Sequence, residues 1–393
     1  MKKELLFLYP YKFTDFEYFK LEIEKYKKLN YKVLINDLSE IIASKSLNKA
    51  WKSKRSKAAI AQNSILHFYN FLKKKKKNLV IINLMQNHYN FKSFLILIII
   101  KLLRIKQLFI FDDPPPYISQ KKVSRFKWIK SKLKEHKLNY KLYFFYLNFF
   151  IFKFLIKLIK NKDEIIFSNQ KLNKTDTKLI NFFDYSNCLE PSNIKPSYKN
   201  YCLYLDNGGP YFRGDTDVKN NYLPNHNIRK IYGDIIEFLK KIESDFKCKV
   251  IIIPHPKYKS SKKNFSFNPY FKEFIIDNRP NALNILSKKT KFFLAKGTTA
   301  FSYAVVNNKP IVNIFSSDHE YESEEIMTIL DYAKIIGNTA YNIKNYSKKS
   351  FSKKLTVSRS AYKKVIFTYL SHKNTLYTPN YKLISNHIEK ISI

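Results

Sequence analysis

The chain is short of cysteine, acid, arginine and uninterrupted apolar sequence, and each shortage excludes something. Cys188, Cys202 and Cys248 are the only cysteines in 393 residues; an odd number at no metal-ligand spacing argues against a disulfide framework and suits a reducing cytoplasm. The 31 Asp and Glu face 72 Lys and Arg, a formal net charge of +41. Arginine stands only at positions 55, 104, 125, 213, 229, 279 and 359, so this charge is nearly all lysine. The nearest approaches to a long apolar run, Phe94 to Ile100 and Leu142 to Phe152, stop at Lys101 and Lys153. Both fall short of the roughly 18 to 20 residues that cross a bilayer. In the opening MKKELLFLYPYKF, Glu4 follows the lysines and the apolar run is brief, which reads as a first strand and not as a signal peptide. No GxGxxG closes any strand, and no nucleic-acid-binding motif is present, so no nucleic-acid partner is expected.

A net charge of this size ordinarily points to a polyanionic partner. Here lysine keeps company with Asn, Ile, Phe and Tyr, which AT-rich codons also supply, so compositional bias is an equal account. The length exceeds one ordinary hydrophobic core and predicts two domains of about 150 to 200 residues. In the first half, LLFLYPY, YKVLINDLS, LVIINLM (79–85), QLFIFDD (107–113) and DEIIFSNQ are strand-like. Between them, residues 13–30 and 91–104 carry apolar positions at helical spacing. Strands alternating with helices imply a parallel sheet covered on both faces. Residues 1–170 are accordingly a Rossmann-like domain.

Residues 121–162 break that rhythm with thirteen Lys or Arg, one Glu and a block of aromatic and branched side chains. An amphipathic helix of this kind suits the headgroup zone of an anionic membrane; packed on its own domain with solvated lysines, it is equally satisfied. Residues 171–199 are polar, carry Pro191 and Pro196, and read as the linker. The second half repeats β-α-β-α-β through YCLYLDNGG (201–209), a helix over 228–246, CKVIIIPHP, a short helix over 281–288 and KFFLAKGTTAFSYAVVNNKPIVNI (291–314). Residues 200–350 form a second Rossmann-like domain, and 351–393 are a helical tail that crosses back to the first. The fold class is α/β, two Rossmann-like domains facing a central cleft.

In open parallel sheets, ligands gather beyond the carboxyl ends of the strands. Gly297, Thr298 and Thr299 stand where a strand becomes a helix, offering backbone amides and hydroxyls to a phosphate; a plain N-cap uses the same residues. His255, held between Pro254 and Pro256 past an apolar strand, is placed to donate to a phosphate oxygen or transfer a proton, with Pro256 on the same phosphate side. Asp206 ends its strand in Asp-Asn-Gly, as a general base for a sugar hydroxyl or as a turn bonding its own backbone. Asp112 and Asp113 end a first-domain strand on the acceptor side. Asp215 and Asp217 have the Asp-x-Asp spacing of metal-dependent transferases, which is frequent by chance; no metal and no cofactor are expected. Ser316 to Glu325 follows the last apolar strand, as a ribose contact or as a solvated acidic helix start.

The order of these motifs resembles the C-terminal half of GT-B glycosyltransferases that build bacterial surface polysaccharides. Bacterial sialyltransferases and polysialyltransferases carry an (Asp/Glu)-(Asp/Glu)-Gly motif, a His-Pro motif and a Ser/Thr pair. Asp206-Asn207-Gly208, His255-Pro256 and Thr298-Thr299 match them within residues 201–314. The resemblance implies an acidic base for the acceptor hydroxyl, a His at the departing nucleotide phosphate, and hydroxyls that hold that phosphate. Asn207 stands at the second acidic position, so the base falls to Asp206 or to a first-domain acid. Teichoic-acid-type glycerophosphotransferases and capsule Kdo transferases also show a His-Pro and a hydroxyl pair, so the donor stays open. The expected activity is inverting, metal-independent transfer from a nucleotide sugar, CMP-activated by preference, to a capsule, lipopolysaccharide or similar glycan. Its place would be the cytoplasm or the inner face of the cytoplasmic membrane. The alternatives are a CDP-glycerol-type glycerophosphotransferase, a nucleotide-sugar epimerase, and a non-catalytic membrane- or polyanion-binding protein.

Overall fold

The computed structural model describes residues 3–43, 54–85, 88–112, 140–159, 165–170, 177–190, 192, 194–209, 227–256, 269–319 and 323–391. In the first half, strands β1 (Glu4–Tyr9), β2 (Lys32–Asp37), β3 (Ile60–Ala61), β4 (Leu79–Asn83), β5 (Lys106–Phe111), β6 (Ile165–Ser168) and β7 (Thr177–Leu179) form one sheet in the order 3-2-1-4-5-6-7. The second half sets β8 (Tyr201–Leu205), β9 (Lys249–Ile253), β10 (Ile275–Ile276), β11 (Phe293–Ala295), β12 (Ile311–Phe315) and β13 (Tyr341–Asn342) in the order 10-9-8-11-12-13. The strand pairs β1–β2, β1–β4, β8–β9 and β8–β11 that meet at the middle of each sheet are parallel. Two Rossmann-like domains are therefore present, as the alternation of elements predicts.

Alternate side chains of each central strand feed opposite cores. Leu5 and Phe7 of β1 belong to one cluster, Leu6 and Leu8 to the other; Leu203 and Leu205 of β8 face one way, Cys202 and Tyr204 the other. A parallel sheet sandwiched between helices must be apolar on both faces, and β4 and β8 are buried at every residue. The strand order reverses direction in each sheet, where β1 meets β4 and where β8 meets β11. Such switch points leave a crevice beyond the strand ends.

Two expectations are corrected by the tertiary structure. The stretch 171–199 is more than a linker: β7 extends the first sheet, and the helix Phe183–Leu189 wedges between the domains. Phe183 enters the core of the first domain while Phe182 and Tyr185 enter that of the second. The polarity that made this segment look solvated is consumed in buried hydrogen bonds. Asn181 N–H donates to Asn380 Oδ1 at 2.8 Å, and Ser186 Oγ donates to Glu22 Oε1 at 2.7 Å. The second correction concerns residues 13–30, which break into the helices Asp15–Lys20 and Ile23–Lys28 at Glu22, whose φ is 57°. Glu22 takes this left-handed conformation while its carboxylate accepts from Ser186 and from the Tyr381 N–H at 2.9 Å.

The tail returns to the first domain as expected, with Tyr381, Ile384 and Ile388 of the helix Asn380–Ile388 in the first-domain core. Of the basic segment 121–162, the helix Tyr140–Ile159 falls among the described residues. Residues 121–139 and 160–162 lie outside them.

Candidate functional site

β8, β9 and β11 end side by side, and each delivers one motif to a cavity of about 160 Å³ at the β8–β11 switch point. Asp206, His255 and Pro256, and Thr298 and Thr299 all line it. Phe16 and Lys20 close it from the first domain, and Asp184 enters from the wedge helix. The volume is below the ~300–1,000 Å³ of a site that encloses a whole drug-sized ligand. It suits the reacting end of a larger substrate.

Asp206 makes the turn with one carboxylate oxygen and leaves the other without a partner. Its Oδ1 accepts the Gly208 N–H at 3.0 Å, which makes the turn, while Oδ2 is buried with no hydrogen-bond partner. With 4% of its surface exposed, its carboxyl is pushed up to about 6 by burial, against the opposing pull of the Gly208 N–H and of Lys296. A carboxyl in this range changes protonation near neutral pH, as a general base must. Asn207 turns away from the cavity and donates from Nδ2 to the Lys296 carbonyl at 2.8 Å, tying the two loops together. The second position of the motif is therefore structural here, and the motif's carboxylate that reaches the cavity is Asp206.

Gly297 meets a steric requirement of its own. Its φ is +66°, and a Cβ there would stand 3.0 Å from Thr328 Cγ2 and 3.1 Å from Ile329 N. Those atoms belong to the helix Ser323–Ile335. The glycine thus lets the turn cross that helix, and it is absent from the cavity lining. Thr298 and Thr299 do face the cavity and are half-buried. Thr298 Oγ1 accepts the Ala300 N–H at 3.3 Å, closing a tight turn just before a helix, Phe301–Val306, of only six residues. So short a helix adds little dipole; what the turn offers an anion is hydroxyls.

In the first domain, Asp112 stands one layer behind the cavity. Lys20 Nζ lies 2.7 Å from Asp112 Oδ2, and the Phe183 N–H donates to Asp112 Oδ1 at 3.2 Å. Asp113, like Asp215 and Asp217, lies outside the described residues. Burial alone would lower the Lys20 ammonium, but Asp112 and Asp184 overcome it and hold the group above its usual range. Asp184 is itself pushed up to about 6 by burial, with Lys20 opposing and Ser302 Oγ donating at 3.4 Å. In the stretch Ser316–Glu325, Nε2 of His319 lies 2.9 Å from Asp234 Oδ2 and Glu325 pairs with the buried Lys296 at 3.4 Å. Asp318 likewise pairs with Lys344 at 3.1 Å, so the two acids of this stretch whose side chains are described serve intramolecular ion pairs; residues 320–322 lie outside the described set.

Lys20, Asp184 and Arg279 line the cavity without having been singled out from the sequence. Lys20 sits in an ordinary amphipathic helix and Asp184 in the apparent linker, so neither carries a local signal. Arg279 does: it is one of few arginines and precedes Pro280 in a loop at the same sheet edge.

No family model matches the chain, and no curated protein matches it. Solved structures resemble it along its whole length at low identity. A Staphylococcus aureus structure, MnaA with UDP, is 10% identical over 98% of this chain and 96% of that one, with a TM-score of 0.50. SnogD, a glycosyltransferase from Streptomyces nogalater, is 8% identical over 98% and 99%, with a TM-score of 0.49. A UDP-N-acetylglucosamine 2-epimerase is 10% identical over 99% and 96%, with a TM-score of 0.48. At such identity the likeness to the first of these speaks for the fold, two Rossmann-like domains about a cleft in the GT-B manner.

Proposed function

We propose that the chain is a GT-B glycosyltransferase that moves a sugar from a nucleotide-activated donor to a bacterial surface glycan, without metal and with inversion. The observation that carries this reading is the unpartnered Oδ2 of Asp206 in a cavity shared with His255, Thr298 and Thr299. The acceptor hydroxyl gives its proton to Asp206 Oδ2, and its oxygen attacks the anomeric carbon from the face opposite the leaving group. The bond from that carbon to the phosphate oxygen breaks, and its electron pair stays on the phosphate. His255 and the two threonine hydroxyls stabilise the charge that develops there, so the step requires no metal. Lys20, reaching in from the first domain, adds a cation at the same opening.

The three-motif resemblance favours a CMP-activated donor, and the S. aureus structure with UDP brings a uridine nucleotide alongside it. The acceptor, a capsule, lipopolysaccharide or similar chain, approaches from the first domain on the inner face of an anionic membrane. Turnover with a panel of CMP-, CDP- and UDP-activated donors tests the reading. Activity with a sugar donor is expected to fall by about 10² to 10³ in His255→Ala and Thr299→Ala. Unchanged rates in both variants would remove the assigned site, and activity with CDP-glycerol alone would make the enzyme a glycerophosphotransferase.

A further inference from the structure

We infer that the outer face of the helix Tyr140–Ile159 is a docking surface for an anionic lipid bilayer, which gives the membrane named in the proposed function a defined place on the molecule. Leu147, Phe150, Ile151, Phe154 and Leu158 are exposed, Phe154 to 62% and Leu158 to 65%. Their spacing of three, four, seven and eleven residues puts them on one side of a helix. The fold already uses another side: Ile156 is buried, and Phe149 and Phe152 meet the rings of Tyr89 at 5.1 Å and Phe94 at 5.9 Å. The helix therefore has two apolar faces, of which folding occupies one.

The neighbouring helix Phe91–Leu102 widens the exposed stripe. Phe91 and Leu102, three turns apart, are exposed to 55% and 75%. Exposed apolar surface of this kind marks an interaction site, since a merely solvated helix carries polar residues there.

Charge identifies the occupant. Residues 88–111 and 140–159 hold seven Lys or Arg and no Asp or Glu. Lys92, Lys101, Arg104 and Lys157 are exposed among the described residues. A second copy of the chain would bring the same positive charge against itself, whereas anionic headgroups neutralise it. Among the described residues no helix is long and apolar enough to cross a membrane. The helix then lies in the interfacial plane, its aromatic and branched side chains at the acyl boundary and its lysines among the headgroups.

Flotation of the full chain with extruded vesicles tests this, with no sugar donor present. Vesicles of phosphatidylcholine with phosphatidylglycerol should bind at least about tenfold more protein than phosphatidylcholine alone. The double variant Phe154→Ser and Leu158→Ser, unchanged in net charge, should lose at least about tenfold in that binding while keeping its melting temperature. The inference is overturned if the native chain ignores anionic vesicles, if the double variant binds as well as the native chain, or if sedimentation shows a dimer that the double substitution dissolves. Donor turnover with a water-soluble acceptor is a separate measurement, so failure of docking and failure of the transferase reading are told apart.

Discussion

Replacing Asp206 with Asn separates what this residue costs the fold from what it does for the reaction. Its carboxyl, ordinarily at 3.8, stands at about 6 in the folded chain because burial disfavours the charge. Between those values the native state holds a proton that the unfolded state has released. Stability therefore falls as pH rises through this window, and the loss is complete above it. At about 1.36 kcal/mol per pH unit, the penalty for carrying Asp206 ionised comes to about 3 kcal/mol. Asn carries no charge and still offers an oxygen to the Gly208 N–H. Relative to the native chain, the variant should thus gain about 3 kcal/mol between about pH 4 and about pH 7. Its absolute advantage at neutral pH is smaller, because an amide nitrogen placed where Oδ2 lacks a partner costs about 1 to 3 kcal/mol. Urea denaturation of both proteins across a pH series measures the difference, and subtraction cancels every other titrating group. Turnover in the same variant should collapse. A stability difference that stays flat with pH, or drifts the opposite way, would refute the buried-carboxyl argument and with it the choice of base.

Two further substitutions probe the surroundings of the site. Gly297→Ala places a Cβ 3.0 Å from Thr328 Cγ2 at a φ of +66°; left-handed strain and overpacking together should cost about 2 to 5 kcal/mol by chemical denaturation. A cost below about 0.5 kcal/mol would return the glycine to the anion-approach role its sequence context suggests. Lys20→Met leaves Asp112 and Asp184 facing one another without their cation. With 27% of the Lys20 side chain exposed, the loss in stability should be about 1 to 3 kcal/mol, and the Asp184 carboxyl, which Lys20 holds down, should titrate at higher pH when followed by NMR. An unmoved Asp184 titration would show that Lys20 does not act on this carboxyl.

Much of the fold was legible because parallel strands buried on both faces are written as apolar runs. LVIINLM and YCLYL announce β4 and β8, and the helix Ile228–Phe246 begins and ends within a residue of its periodic pattern. The strands β3, β7, β10 and β13, two or three residues each, are too brief to show any period. The wedge helix Phe183–Leu189 was hidden for another reason: its asparagine, serine and aspartate resemble those of a solvated loop, and only distant partners, Glu22 and Asn380 for Ser186 and Ser302 for Asp184, make their burial tolerable. The three site motifs could be read because each sits at a strand end, where an open α/β sheet presents ligands.

Local order alone determined that this chain builds two parallel sheets, and that Asp206, His255 and the Thr298–Thr299 pair leave the same edge of the second. Periodicity and turn chemistry act over a few residues, so a linear reading reaches that far. Which strands became neighbours, which oxygen of Asp206 was left unpaired, and that Lys20 and Asp184 close the same cavity were decided by tertiary structure. Those properties depend on burial and on partners 90 or more positions away, such as Lys296 from Asp206 and Ser302 from Asp184, and the free energy of a buried charge has no local signature.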